Sequence, residues 1–190
     1  MNPAWTLILL VVVMALVVVA VISIYNGLVR LRNQVKNAWA QIDVQLKRRH
    51  DLIPNLVETV KGYAAHEKTT LENVTRMRNQ AVQAAGQGPA QQIAAERGLA
   101  GALGRLMVVV EQYPDLKANQ NFLSLQGELA TTENHISAAR QAYNAEVMRF
   151  NTKIQVFPNN IVAGTFNFTE QPFFEIDDAA QRDVPKVSFS

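Results

Sequence analysis

Few side chains in this sequence are able to do chemistry. The chain has three histidines, His50, His66 and His135, and no cysteine, which excludes disulfides, thiolate metal sites and thiol nucleophiles. His66-Glu67 opens like the helix of a zinc protease, but the second ligand of an H-E-x-x-H motif would fall on Thr70. Each histidine is therefore expected on a helix surface. Glu128, Glu133 and Glu146 offer carboxylates for a dimetal bundle, yet the Glu-x-x-His repeats that complete such sites are missing. They read instead as solvated acids and partners for Arg140 and Arg149. Residues 98–104, GLAGALG, carry glycines without a preceding strand or a P-loop lysine. Close helix packing across Gly98, Gly101 and Ala102 is the expectation there. No catalytic residue, metal ligand or cofactor site is expected, and the chain does not read as an enzyme.

The strongest charge cluster is Lys47-Arg48-Arg49-His50, which could hold anionic lipid or phosphate. On a straight helix it would stand about 35 Å beyond the apolar segment, too far for headgroups within a Debye length. Pairing with Asp43, Asp51 and Glu58, or contact with another protein, is expected instead. A net charge of +2 gives little reason to expect nucleic acid.

The elements that position these residues are legible from periodicity. Thr6 to Ile24 contains no charge, Gly or Pro, and roughly nineteen residues at about 1.5 Å each make a helix near 28 Å long, close to the hydrocarbon thickness of a bilayer. Trp5 and Tyr25 bracket it at the two interfacial levels. A cleaved signal peptide would show a basic flank, a shorter apolar run and a small-residue cleavage site, so a retained transmembrane anchor is expected. Arg30, Arg32 and Lys36 follow the span, whereas no Lys or Arg precedes it. The positive-inside rule then puts the amino terminus outside and the remainder in the cytoplasm, with the bacterial inner membrane as location.

Helical periodicity continues out of the span without a linker. Leu28, Leu31, Val35, Trp39, Ile42, Leu46 and Ile53 form one apolar stripe, opposite Arg30, Lys36, Asn37, Gln41, Lys47 and Arg48. Pro54 predicts a kink in a continuous helix or a restart capped by Asp51; the absence of loop residues around it favours the kink. The stripe then extends through Val57, Val60, Ala64, Leu71, Val74, Ala81 and Ala85 to a first strong break at Gly86–Pro89. A helix over residues 90–112, a turn at Tyr113-Pro114-Asp115 and a long last helix over residues 116–156 follow. Short turns between long helices imply antiparallel neighbours. The predicted fold is all-α: a transmembrane helix (1–25) continuing into an up-and-down helical bundle (26–156), then an irregular or extended Phe-rich tail (157–190).

That tail holds Phe157, Phe166, Phe168, Phe173, Phe174 and Phe189, with Pro158, Gly164, Pro172 and Pro185, and its pattern predicts extended segments over 165–169 and 187–190. It is read either as a strap clamped on the bundle by its aromatics or as an adhesive segment inserting into a neighbour. Its acids, Glu170, Glu175, Asp177, Asp178 and Asp183, would complement the basic first helices.

Three blocks carry a resemblance over nearly the whole chain: YNGLVRLRNQVKNAWAQIDVQLKRRHDLIPNLVETVKGYAAHE, YPDLKANQNFLSLQGELATTENHISAARQAYN and FPNNIVAG. With them the sequence resembles the bacterial LemA family. The resemblance implies a single-pass membrane protein with an up-and-down bundle, no known enzymatic activity, and a role in membrane organisation or quality control. Arg48, Arg49, Asp51, Pro54 and Asn55 match the family's most distinctive motif, and are carried over as structural or interaction candidates. Arg48, Arg49, Asp51 and Asn55, with Phe166, Phe168, Phe173 and Phe174, are the expected interaction residues. Expected partners are the lipid bilayer and further copies of the chain. The leading reading is a scaffold whose anchored copies associate side by side. The alternative is an adaptor or regulator of a membrane protease or other envelope complex.

Overall fold

Pro3–Lys61 form one unbroken helix, α1, in the computed structural model, which describes residues 3–64 and 66–174. The continuation through exposed Pro54 agrees with a helix carried past the proline rather than a restart. The apolar residues at the start of α1 are exposed over residues 3–20, and this stretch is long and apolar enough to cross a membrane. From Leu28 onward the seam is covered, and Leu28, Val35, Ile42, Leu46, Ile53, Leu56 and Val60 are buried. The wet face predicted opposite the seam is exposed at Arg30, Lys36, Asn37, Gln41, Lys47 and Arg48.

Four further helices and a short turn of helix supply the cover. They are α2 (Lys68–Ala84), α3 (Pro89–Val110), α4 (Pro114–Lys117), α5 (Gln120–Gln155) and α6 (Asn159–Thr165). Among the described residues there is no strand. α2 returns along α1, its Arg78 Nε donating to the His50 carbonyl at 3.2 Å. α3 turns back to run with α1, its Gln92 facing Asp43 and its Glu96 facing Arg49. α5 descends beside α1 over its whole length: Glu133 meets Arg49 and Tyr143 meets Trp39, so ten residues along one helix match ten along the other. The result is the expected up-and-down bundle on an anchoring helix.

Three boundaries differ from expectation. The first break after the anchor falls at Gly62–Glu67, not at Gly86: the Tyr63 and Ala64 N–H groups both donate to the Val60 carbonyl, and Ala64 is fully buried. Its burial preserved the apparent stripe across a turn. The last helix begins at Gln120 rather than near 116, because the Asn119 side chain accepts from the Phe122 N–H at 3.0 Å and caps a new start. Residues 159–165, expected to be non-helical, form α6, which buries Asn159, Val162 and Ala163. Beyond Thr165 the chain turns through Asn167 (φ 55°) and runs without regular structure over 168–174. The expected segment over 187–190 and the acids from Glu175 onward lie outside the described residues.

The core divides in two along the rod. The distal part packs Ile53, Leu56 and Val60 of α1 with Val74, Leu99, Leu106, Phe122 and Leu129. The part nearer the span packs Leu28, Val35, Ile42 and Leu46 with Ile93, Ile136, Tyr143, Phe150 and Ile154. Fully burying a Leu, Ile or Phe is worth roughly 1.5–3 kcal/mol, so each half has a substantial core of its own.

Candidate functional site

Arg49 and His50 occupy the gap between Leu46 and Ile53 in the α1 seam, where the two cores meet. Both side chains are buried, although they lie in a helix whose outer face is basic. Glu96, between Ile93 and Leu99 on α3, takes both of them: Arg49 Nη2 donates to one carboxylate oxygen, and His50 Nε2 lies 2.8 Å from the other. Arg49 and Glu96 are each only 3% exposed. The second guanidinium nitrogen, Arg49 Nη1, donates to both oxygens of Glu133 at 2.9 and 3.2 Å, at the rim where α5 reaches solvent. Thr132, fully buried next to Glu133, returns its hydroxyl to the Glu128 carbonyl at 2.8 Å. Three helices thus contribute one polar step each to a single layer.

Burial opposes the charge on Glu96, but the hydrogen bond from His50 and the Arg49 charge outweigh it and hold the carboxyl below the ordinary glutamate range. Arg140, half-buried nearby, is drawn below the ordinary guanidinium value by burial and by Arg49. Removing one partner of such a pair leaves a buried charge uncompensated, whereas sliding a helix by one turn would do the same to both. The layer therefore fixes the register of α1, α3 and α5. Both acids in it are engaged by Arg49. Among the described residues no group of three or more His, Asp or Glu side chains is placed to hold a metal ion.

The expectation that each histidine sits on a helix surface is corrected for His50, which the seam turns inward; His66 and His135 are exposed. The signal was present in the sequence. A polar pair, Arg49-His50, falls where the stripe calls for an apolar residue, and Thr132-Glu133 falls between Leu129 and Ile136 in the same way. Glu146 pairs with Arg149 at 2.9 Å as read, while Glu133 goes to Arg49. Of the basic cluster, Lys47 pairs with Asp51 at 2.8 Å. That ammonium holds the exposed Asp51 carboxyl below its ordinary value. Among the glycines of α3, only Gly98 has a close neighbour, the Met77 Sδ; Gly101 and Gly104 face open space.

The other built feature is the strap at residues 168–174. Asn151 and Asn144, two turns apart on one face of α5, each grip a tail residue by both backbone groups. Asn151 Nδ2 donates to the Gln171 carbonyl and its Oδ1 accepts from the Gln171 N–H, both at 2.9 Å. Asn144 does the same to Phe174 at 3.1 and 2.8 Å. Tyr143, whose hydroxyl is pushed up to about 12 by burial, donates to the Pro172 carbonyl at 2.8 Å. Phe168 and Phe174 are buried, with Arg32 and Arg140 lying 5.0 and 4.3 Å from their ring centroids. Trp39 stands edge-on to Tyr143 and beside Phe174.

The expected interaction residues are thus divided. Arg48, Asp51 and Asn55 lie exposed on α1, and Arg49 is in the polar layer. Phe168 and Phe174 are docked on the chain's own bundle, whereas Phe166 and Phe173 remain exposed. Trp5 is exposed at the start of the span, and Tyr25 packs against Phe166 and Phe168 at its end. An open groove of about 840 Å³ separates the end of α1 from α2, lined among others by Val57, Glu58, Lys61, Leu71 and Glu72.

Comparison with known proteins places this architecture. Magnetosome protein MamQ 2 of Paramagnetospirillum magneticum is 27% identical over 208 residues, covering 92% of this chain and 76% of that protein. Protein LemA of Metamycoplasma hominis is 29% identical over 161 residues, covering 84% and 72% respectively. Magnetosome protein MamQ of Magnetospirillum gryphiswaldense is 25% identical over 188 residues, covering 86% and 68%. The LemA family model matches residues 38–189, a stretch that takes in the polar layer and the strap, and the chain belongs to the LemA family.

Proposed function

We propose that this chain is a membrane-anchored, non-enzymatic scaffold whose copies associate side by side to organise a patch of membrane. The observation that carries the reading is the unbroken course of α1 from Pro3 to Lys61. A bundle joined to its anchor by a flexible linker samples many orientations, whereas one grown on the anchoring helix presents the same lateral face from every copy. The faces left outside the cores include exposed Val44, Val82, Leu123 and Phe173, which suits lateral contacts. The relatives named as magnetosome proteins favour a membrane-organising role. Arg30, Arg32 and Lys36 beyond the span favour a bundle facing the cytoplasm of a bacterial inner membrane.

The mass of the full-length protein extracted in mild detergent tests the reading. A multiple of the chain mass supports it; a monomer at membrane-like protein density contradicts it. A second reading, an adaptor for a membrane protease or another envelope complex, is favoured by the open groove between α1 and α2. A monomer that copurifies with a protease would select it. Labelling of a single cysteine at exposed Gln87 from outside intact cells would reverse the proposed orientation.

A further inference from the structure

At the end of the bundle nearest the span an apolar surface is left open. Val156, Phe157, Ile161 and Phe166 are exposed there, Phe157 by 78%, Ile161 by 61% and Phe166 by 49%. The stretch from Val156 to Thr169 carries no Asp, Glu, Lys or Arg, although it forms the outside of α6 and its flanks. A surface of this kind in water is an association or lipid-binding site.

Its height along the rod is fixed by the pairing of α1 with α5. Glu133 is level with Arg49 and Tyr143 with Trp39; the same step carried down brings Phe157 level with Tyr25. The aromatic contacts agree, since Phe166 and Phe168 lie 4.8 and 5.7 Å from the Tyr25 ring. Val21 and Ile24, in the last turns of the span, pack against the core that contains Ile154, Val162, Ala163 and Phe168. The folded body therefore reaches down beside the span itself, and no stretch of bare helix separates the two. Arg149 and Lys153 rim a shallow apolar depression lined by Leu31, Met148 and Val156. This puts cations just above the uncharged surface, at the height of lipid phosphates.

We propose that Phe157, α6 and Phe166 form a second membrane contact, immersed in the interfacial zone of the bilayer beside the transmembrane helix. The occupant of this apolar surface is lipid. The argument for lipid over a second copy is continuity: the patch is level with the end of a segment already surrounded by lipid. The proposal rests on reading the start of α1 as a membrane anchor. Its effect is to brace the rod at two points, so that the bundle is held at a set tilt to the membrane.

The test uses the full chain, which has no native cysteine, reconstituted in phosphatidylcholine–phosphatidylglycerol vesicles. Single variants Phe157→Cys, Ile161→Cys, Val13→Cys and Val108→Cys, all at exposed positions, are labelled with an environment-sensitive fluorophore, and far-UV circular dichroism checks that each is folded. Labels at 157 and 161 are expected to show blue-shifted emission, to lose most of their intensity to lipids spin-labelled near the headgroup, and to resist aqueous iodide. The label at 108 should respond to iodide alone, and that at 13 to deeply spin-labelled lipid. Iodide quenching at 157 and 161 equal to that at 108, with 13 still lipid-quenched, overturns the proposal and leaves the anchor standing. Protection from both quenchers at 157 and 161 also overturns it and makes a protein the occupant. Loss of lipid quenching at 13 overturns the anchor as well.

Discussion

Glu96 on α3 meets Arg49 on α1 with both side chains removed from water, in the layer that separates the two apolar cores. The relationship is long-range in sequence and apolar on both sides. It makes the register of the bundle depend on a charge pair rather than on the shape of leucines alone. Glu96→Ala leaves Arg49 with only the rim contact to Glu133 and should destabilise the bundle by about 3–5 kcal/mol. Glu96→Leu combined with Arg49→Met and His50→Leu removes the charges together and should recover most of that loss. Chemical unfolding of the detergent-solubilised proteins measures both.

The same carboxylate sets a pH dependence. Its folded value lies below the ordinary 4.5, so in that window the unfolded chain binds more protons than the folded one. Stability from Glu96 is then fully present above about 4.5 and is lost as pH falls through the folded value. Unfolding midpoints taken between neutral and strongly acidic pH should fall more steeply for the native protein than for Glu96→Gln, whose replacement side chain does not titrate. Equal slopes would show that Glu96 is not the group responsible.

The strap offers a local test. Asn151→Ala deletes two hydrogen bonds to Gln171 and Asn144→Ala deletes two to Phe174; each change should cost about 1–3 kcal/mol at the strap. Amide hydrogen exchange at residues 168–174 should accelerate in both variants while the distal core, which the strap does not touch, stays protected. Global acceleration would mean that the strap is part of one cooperative unit with the whole bundle.

In α3 the opposite sign is expected. A Cβ on Gly101 or Gly104 meets nothing, so Gly101→Ala and Gly104→Ala should each stabilise the bundle by about 1 kcal/mol through helix propensity. Gly98→Ala must displace the Met77 Sδ at 3.2 Å and should gain less. A thermal unfolding series of the three variants checks the order.

What the sequence made legible was whatever repeats. The seam of α1 from Leu28 to Ile53 and the α5 stripe from Phe122 to Ile154 recur at helical spacing and appear in the fold as read, and the uncharged run before them is the exposed, apolar start of α1. Features that interrupt a repeat without changing its spacing were hidden. Ala64 lies in a turn yet stays buried, so the stripe seemed to run on to Gly86. Asn119 caps α5 from a position where an apolar count gives no sign of a break. α6 is only seven residues long, too short for periodicity to establish. The polar layer is different in kind. Arg49, Glu96 and Glu133 lie far apart in sequence: gaps in the two stripes mark Arg49 and Glu133, but nothing pairs them with each other or with Glu96 until the helices are laid side by side. The strap was half legible: the aromatics pointed to docking, but the side-chain amides of Asn144 and Asn151 that hold its backbone carry no pattern.

The central claim, that anchor and bundle are one rigid body because a single helix makes both, is tested by a distance. Nitroxides on Val12→Cys and Val44→Cys, both exposed on α1, stand thirty-two residues apart, or about 48 Å along an unbroken helix. Pulsed electron–electron dipolar measurements on the protein in lipid should give one narrow distribution near that length. A broad distribution, or one centred well short of it, would reveal a joint between span and bundle and contradict the account.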